Sequence, residues 1–95
     1  MKIVETSIFT RQVKRLYPNQ KSNLDDAIEK ICTNPFIGEE KKGDLVGLYV
    51  YKFRMTKQLT LLAYEFYRDE VILHLIMFGS HENFYRDLKK YRVTL

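Results

Sequence analysis

Val71-Ile72-Leu73-His74-Leu75-Ile76-Met77-Phe78 is an almost unbroken apolar run that Gly79-Ser80 brings to a stop. A run of this length is too short to cross a bilayer and fits a strand buried on both faces. Gly is the usual punctuation where a strand turns, and Ser is a good helix N-cap. The next residues read as a short helix with two stripes. Phe84, Leu88 and Tyr91 fall at i, i+4, i+7 and face the core, while His81, Tyr85 and Lys89 fall at i, i+4, i+8 on a neighbouring face. A buried strand therefore ends where an imidazole, a phenol and an ammonium emerge together. Strand ends and the loops after them often carry chemistry, because the scaffold is rigid and the side chains stay reachable.

The rest of the chain supplies the elements around this run. Lys2-Ile3-Val4-Glu5 reads as a short first strand, and Thr6 or Ser7 can cap a first helix. Phe9, Val13 and Leu16 give that helix its apolar face, with Arg11, Lys14 and Arg15 in water. Tyr17-Pro18-Asn19 breaks it. A second helix is predicted from about Lys21 to Cys32, on a core stripe of Leu24, Ile28 and Ile31, and Asn34-Pro35 stops it. The two form a helical hairpin. Pro35 to Gly43 reads as a polar loop with an apolar plug, Phe36-Ile37, and Glu39-Glu40-Lys41-Lys42 as a solvated turn. From Leu45 the period becomes two. Tyr49, Tyr51 and Phe53 point one way, and Val50, Lys52 and Arg54 the other. Turns at Met55–Gln58 and Tyr67–Glu70 flank a strongly apolar central strand, Leu59 to Phe66. The order β-α-α-β-β-β-α predicts an α+β fold: a twisted antiparallel meander with an N-terminal helical hairpin packed on one face and a short C-terminal helix.

At 95 residues the chain is expected to form a single domain, residues 1–95, with one core. One cysteine, Cys32, excludes an internal disulfide and a cysteine metal cluster, which suits a reducing compartment. The charged start Met1-Lys2-Ile3-Val4-Glu5 does not read as a signal peptide, and a soluble cytoplasmic protein without membrane contact is the expectation. Residues 1–40 balance six bases against six acids. Residues 41–95 carry ten bases and six acids, and so the entire net charge of +4. A basic sheet and last helix favour an anionic partner, nucleic acid first, although a charge of this size also serves ordinary solubility.

Gly-rich phosphate loops, HExxH, EF-hand loops and paired cysteines are absent, and two histidines make no metal site, so neither a metal nor another cofactor is expected. What remains is a constellation of Lys52, Arg54, His81 and Tyr85, with Lys57, Arg86 and Lys89 nearby. Lys52 and Arg54 share one strand face, about 7 Å apart. Two cations can hold a phosphodiester and stabilise the charge that develops on it, an imidazole can move a proton near neutrality, and a phenol can stack on a base or bond a phosphate. Such a set suffices for metal-free RNA cleavage by the RNA's own 2′-hydroxyl. Each residue also has a plainer role. His81 can decorate a helix start, Tyr85 can pack, Lys52 and Arg54 can dress an exposed strand and block edge pairing, and His74 fits a core position and not a ligand.

Three stretches resemble the RelE/ParE superfamily of bacterial toxins: Gly79-Ser80-His81-Glu82-Asn83-Phe84-Tyr85-Arg86-Asp87-Leu88-Lys89, Gly43-Asp44-Leu45 running into Leu48–Arg54, and Leu59-Thr60-Leu61-Leu62-Ala63-Tyr64-Glu65-Phe66. The likeness spans essentially the whole chain and implies the toxin of a type II toxin–antitoxin pair with a RelE-like microbial-ribonuclease fold. RelE-type members cut messenger RNA in the ribosomal A site without metal and so arrest translation and growth. Carried over, Lys52 and Arg54 match the basic strand positions, His81 the C-terminal histidine of some branches, and Tyr85 the aromatic four residues on. Lys41, Lys42, Lys57, Arg86, Lys89 and Lys90 are the expected RNA contacts. The implied partners are the ribosome, its messenger RNA and a cognate antitoxin that wraps the toxin and represses the shared operon as a DNA-bound complex. A groove along the Phe9–Val13 and Leu24–Ile28 sides of the leading helices is a candidate seat for an amphipathic antitoxin helix. The chain departs from the pattern at Leu61, where many RelE-type members carry an arginine. A phosphate ligand is then either missing or replaced by Arg54 or Lys57. This keeps open the ParE-type alternative, a DNA gyrase inhibitor without nuclease activity.

Overall fold

Leu61, Leu62, Ala63 and Tyr64 are four successive residues without solvent exposure. Only a strand covered on both faces accommodates that, and the fold is arranged around it. The computed structural model describes residues 1–93. In chain order these form β1 (Lys2–Glu5), α1 (Ser7–Lys14), α2 (Pro18–Thr33), β2 (Glu39–Glu40), a 3-10 turn at Gly43–Leu45, β3 (Tyr49–Met55), β4 (Gln58–Tyr67), β5 (Ile72–Ser80) and α3 (His81–Val93). The five strands make one sheet in the order β1-β5-β4-β3-β2. The two apolar runs, β4 and β5, take interior places, as an unalternating pattern requires.

The sheet separates two apolar clusters. On one face Leu62, Tyr64, Leu73, Leu75 and Phe78 meet Phe9 of α1 and Leu24 and Ile31 of α2. On the other, Leu61, Ala63, Ile76 and Met77 meet Phe84 and Leu88 of α3 and Leu45 of the 3-10 turn. Ile76 and Met77 share that face because a bulge opposite Ala63/Tyr64 puts two successive residues of β5 on one side. The helical hairpin thus packs on one face as the sequence indicates, and α3 closes the other.

Several local departures have identifiable causes. α2 starts at Pro18 and not at Lys21, since Pro fits the first helical position and the Gln20 side chain accepts the Tyr17 N–H (2.8 Å). Residues Glu39–Glu40 are not a solvated turn but a two-residue edge strand, paired with Val50 and Tyr49. β1 pairs with β5 in parallel, in a sheet whose other pairs are antiparallel. The apolar sides of α1 and α2 are taken up by the core: Phe9 and Leu24 are each 1% exposed, and Val13 and Ile28 pack against the same cluster. The leading helices therefore offer no apolar groove there for a partner helix.

β1 covers β5 only from Ile72 to Leu75, and side chains of the first helical segment complete the edge beyond it. The Thr6 hydroxyl donates to the Ile76 carbonyl while accepting the Phe9 N–H as the N-cap of α1. The Gln12 amide donates to the Phe78 carbonyl (2.6 Å) and accepts the Phe78 N–H (3.0 Å), as a neighbouring strand would. These bonds continue the edge pairing of β5 as far as Phe78, just before Gly79-Ser80 and the start of α3. Nearer the β2–β3 edge of the same face, the buried Tyr64 hydroxyl accepts the Gly38 N–H (3.0 Å) and donates to the Pro35 carbonyl (2.7 Å).

These bonds set the cost of losing either side chain. Gln12→Ala and Tyr64→Phe each strand two backbone groups, so each is expected to cost about 1–3 kcal/mol in urea unfolding with an unchanged denaturant slope. Burial pushes the Tyr64 phenol up to about 12 from its ordinary 10. The unfolded chain ionises first, so this contribution is intact below pH 10 and is lost as pH rises from 10 to 12. Unfolding free energy measured across that window should fall less steeply in Tyr64→Phe than in the parent.

Candidate functional site

The face of the sheet under α3 carries the polar groups. Lys52 of β3 stands beside Leu61 of β4, which stands beside Gly79 of β5, so the three form a cross-strand row. The Phe84 ring covers the end of that row, 3.9 Å from where a Cβ on Gly79 would lie. Buried Phe84 and Leu88 seat α3 on the sheet, and one residue further round the helix Tyr85 stays half-buried at the margin. His81, the first residue of α3, is exposed and one helical turn away. Its ring meets Tyr85 edge to face, with centroids 5.9 Å apart at 79°.

Lys41 completes this group. Pairing of β2 with β3 is continued by the Lys41 N–H, which donates to the Leu48 carbonyl (2.8 Å). The side chain then lies over Tyr85 with Nζ 5.0 Å from the ring centroid, and it donates to a carboxylate oxygen of Glu39. The bond to Glu39 raises the Lys41 pKa above the ordinary lysine range; burial opposes this and the Tyr85 hydroxyl reinforces it. Glu39 is held below the usual carboxylate range by its bond to Lys41 and by that residue's charge, with a further contribution from Lys52. Both groups are accordingly ionised at neutral pH. The result is a connected set of Glu39, Lys41, Tyr85 and His81 with Lys52 alongside: two ammoniums, a carboxylate, a phenol and an imidazole.

Arg54 occupies a different place. Its Nη1 donates to the Lys57 carbonyl (3.1 Å), and its side chain lines a cleft with Asn19 and Asn23 of α2. Among the described residues no contact joins it to His81 or Tyr85. Lys57 sits exposed in the β3–β4 turn on the same cleft. Lys42, Lys89 and Lys90 are exposed, and Arg86 is exposed with its Nε 3.5 Å from the Asp87 carboxylate. Leu61, at the position of the missing arginine, has no exposure. His74 packs half-buried with Nδ1 3.3 Å from Glu65 Oε1, apart from the His81 group. Sequence reasoning gave Lys41 only a peripheral place and missed Glu39, because two residues of strand are too few to show a period. The available signal was Gly38, where a Cβ would lie 2.8 Å from the Tyr64 hydroxyl oxygen and 3.1 Å from the Val50 backbone, so that the segment must press against the sheet.

Among the described residues no group of three or more His, Cys, Asp or Glu side chains is placed to hold a metal ion, and no helix is long and apolar enough to cross a membrane. A comparison with curated protein sequences gives no match. Solved structures match at the level of the fold. A free-state arginine-substituted mutant of the E. coli toxin RelE superposes with a TM-score of 0.74 at 16% identity, covering 99% of this chain and 97% of that one. The intact E. coli RelBE toxin–antitoxin complex gives 0.70 at 17% identity, over 85% of this chain and 96% of that chain. A YoeB/ParE toxin from Agrobacterium tumefaciens gives 0.70 at 24% identity, over 85% and 99%. Residues 3–89 match the family described as the ParE-like toxin of type II bacterial toxin-antitoxin systems, and the chain belongs to that family.

Proposed function

We propose that this toxin acts as a ribosome-dependent endoribonuclease that cuts translated messenger RNA without a metal ion. The observation that carries this reading is the convergence of Lys41, Lys52, Tyr85 and His81 at one strand end, on a face that is otherwise apolar core. Lys41 and Lys52 hold the non-bridging oxygens of the scissile phosphate and stabilise the charge that builds on them. The 2′-oxygen attacks the adjacent phosphorus; the 2′-O–P bond forms and the P–O5′ bond breaks. The 2′ proton leaves to a base and the departing O5′ receives one from an acid. His81 is the side chain suited to carry a proton in one of these transfers. Tyr85 is held from both sides, by Lys41 over its face and His81 at its edge, and offers a platform for a base or a hydroxyl to the phosphate. Lys41 takes the place of the cation that Leu61 does not supply. The exposed bases of α3 (Arg86, Lys89 and Lys90), with Lys42, face ribosomal or messenger phosphates. The partner is a cognate antitoxin, which represses the shared operon in complex with the toxin.

A second reading is favoured by Leu61 and by the family itself. Leu61 is sealed under α3, and the matched family is described as ParE-like. On that reading the same scaffold inhibits DNA gyrase and has no nuclease activity.

Primer extension on cellular messages after brief expression separates the two. Discrete, translation-dependent stops are expected for the parent. His81→Ala should reduce cutting by about 10²- to 10⁴-fold, the range for loss of a general acid or base, with the thermal midpoint preserved because His81 is exposed. Growth arrest with intact messages and impaired supercoiling would select the gyrase reading.

Lys41→Met and Lys41→Arg give an independent check. Cleavage by reconstituted translating ribosomes should fall with Lys41→Met and recover in part with Lys41→Arg, since arginine restores charge but not the compact ammonium. Equal activity of all three proteins would remove Lys41 from the site.

A further inference from the structure

α3 is held on the sheet by apolar contacts and, at its far end, by a polar one that the proposed cutting site does not use. Phe84 and Leu88 share a buried cluster with Leu45, Leu61 and Ala63. Such contacts are non-directional: they resist lifting of the helix more than turning or sliding of it. The chain passes from Ser80 of β5 directly into His81, which fixes the first turn of α3. The last turn is fixed by Arg92. Its Nη2 donates to the Val46 carbonyl (2.6 Å), 46 residues away in the sequence.

The Val46 carbonyl belongs to the segment that carries Lys41. The Lys41 N–H donates to the Leu48 carbonyl (2.8 Å) and closes residues 41–48 into a loop. Bonds from the Val46 N–H to the Gly43 carbonyl (3.1 Å) and from the Leu48 N–H to the Leu45 carbonyl (3.1 Å) stiffen it from within. Gly47, at φ 90°, makes the bend beside the accepting carbonyl, and a Cβ there would stand 4.0 Å from the guanidinium. Tyr85 and Arg92 are seven residues apart, so they share a face of α3 about 10.5 Å apart along its axis. That face meets the loop twice: Lys41 lies over the Tyr85 ring, and Val46 takes Arg92. The gain in stability from the second contact is small, because Nη1 of the same guanidinium is buried with no partner among the described residues. Its main effect is on position.

We infer that Arg92 is a positioning residue for the cutting site: by gripping the Val46 carbonyl it sets the rotation of α3 that keeps Tyr85 under Lys41. Its consequence for cleavage rests on the RNA-cutting reading above, and the grip itself does not. Lys41 is brought up by the pairing of Glu39 and Glu40 with β3, in which α3 has no part. Tyr85 is brought up by α3 alone. Side chains delivered by separate elements keep their contact only if the elements are tied to each other, and Arg92 is a directional tie between these two. His81 meets the edge of the Tyr85 ring, so its placement follows the same rotation. Arginine suits the task. Its planar fork donates along fixed directions, whereas the ammonium of a lysine turns freely on a flexible stem.

The test compares Arg92→Met, which keeps an extended side chain and removes its donors, with Arg92→Lys and with a charge-matched control, Arg11→Met on the exposed side of α1. Nuclear Overhauser contacts between the Lys41 side chain and the Tyr85 ring report the grip, and those of Phe84 and Leu88 with Leu61 and Ala63 report the seating of α3. Arg92→Met should lose the first set and keep the second. Its cleavage by translating ribosomes should fall roughly 10- to 10²-fold, the cost of an ångström-scale misplacement. Arg92→Lys should recover part of both losses, and Arg11→Met should match the parent. In a Lys41→Met background, Arg92→Met should cost nothing further, because it acts through that lysine. Lys41–Tyr85 contacts that persist in Arg92→Met overturn the proposal, whatever happens to cleavage. Joint loss of the Phe84 and Leu88 contacts also overturns it, since Arg92 is then a general anchor of the helix. So does a double variant whose loss is the product of the two single losses. Loss of the Lys41–Tyr85 contacts alone, in a protein whose parent cuts no message, upholds the positioning role and removes the nuclease reading instead.

Discussion

The Tyr64 hydroxyl is the point on which both halves of the molecule depend. It is fully buried, and it accepts one backbone N–H from Gly38 and donates to the carbonyl of Pro35. A buried phenol that lacks such partners is costly, and a loop of four residues that lacks an anchor does not stay on a sheet. Each therefore supports the other. Phe36 adds to the attachment by packing against Tyr49 and Phe66 with ring centroids 6.0 and 5.6 Å away. Once residues 35–38 are fixed, Glu39 and Glu40 fall into register with Val50 and Tyr49, and Lys41 is delivered to Tyr85 on the opposite face. A core contact under the helical hairpin thus sets where Lys41 stands under α3.

That division of labour runs through β3. Tyr49, Tyr51 and Phe53 pack toward the helical hairpin, Val50 belongs to the cluster under α3, and Lys52 stands next along that second face. An alternating strand is the simplest device for joining an apolar layer to a basic one. At its end the alternation ceases to decide where a side chain goes. Arg54 is in phase with Lys52, yet the left-handed turn beyond it presents the Lys57 carbonyl, and the guanidinium closes on that acceptor at the α2 side. The basic residues of one strand therefore serve two separate surfaces.

The parts that could be read in advance are those in which burial leaves a pattern. The apolar runs of β4 and β5 declared themselves central strands, Gly79-Ser80 marked the strand end, and the Phe84–Leu88 stripe fixed the face of α3. The pairing of His81 with Tyr85 came from helical spacing. Features set by single contacts left no such trace. The parallel pairing of β1 rests on a four-residue strand with every residue exposed, and β2 is only two residues long. The start of α2 turned on Gln20 reaching back to Tyr17. The leading helices look amphipathic in sequence whether the apolar side meets the sheet or a partner, and only the packing of Phe9 and Leu24 decides for the sheet.

Leu61 shows how the core constrains which charged groups can stand under α3. It lies between Lys52 and Gly79 in the cross-strand row, with no solvent exposure and with Phe84 closing over the row's end. A guanidinium at that position would have to be buried against an apolar helix, at a cost of several kcal/mol unless paired. The alternative that the fold provides is a cation from the sheet's edge. Lys41 follows β2 with its own carboxylate partner, Glu39, and with an aromatic face beneath it, so its charge is compensated within the fold. Leucine at this position lets α3 pack tightly on the sheet, and that packing is what holds Tyr85 where Lys41 can reach it.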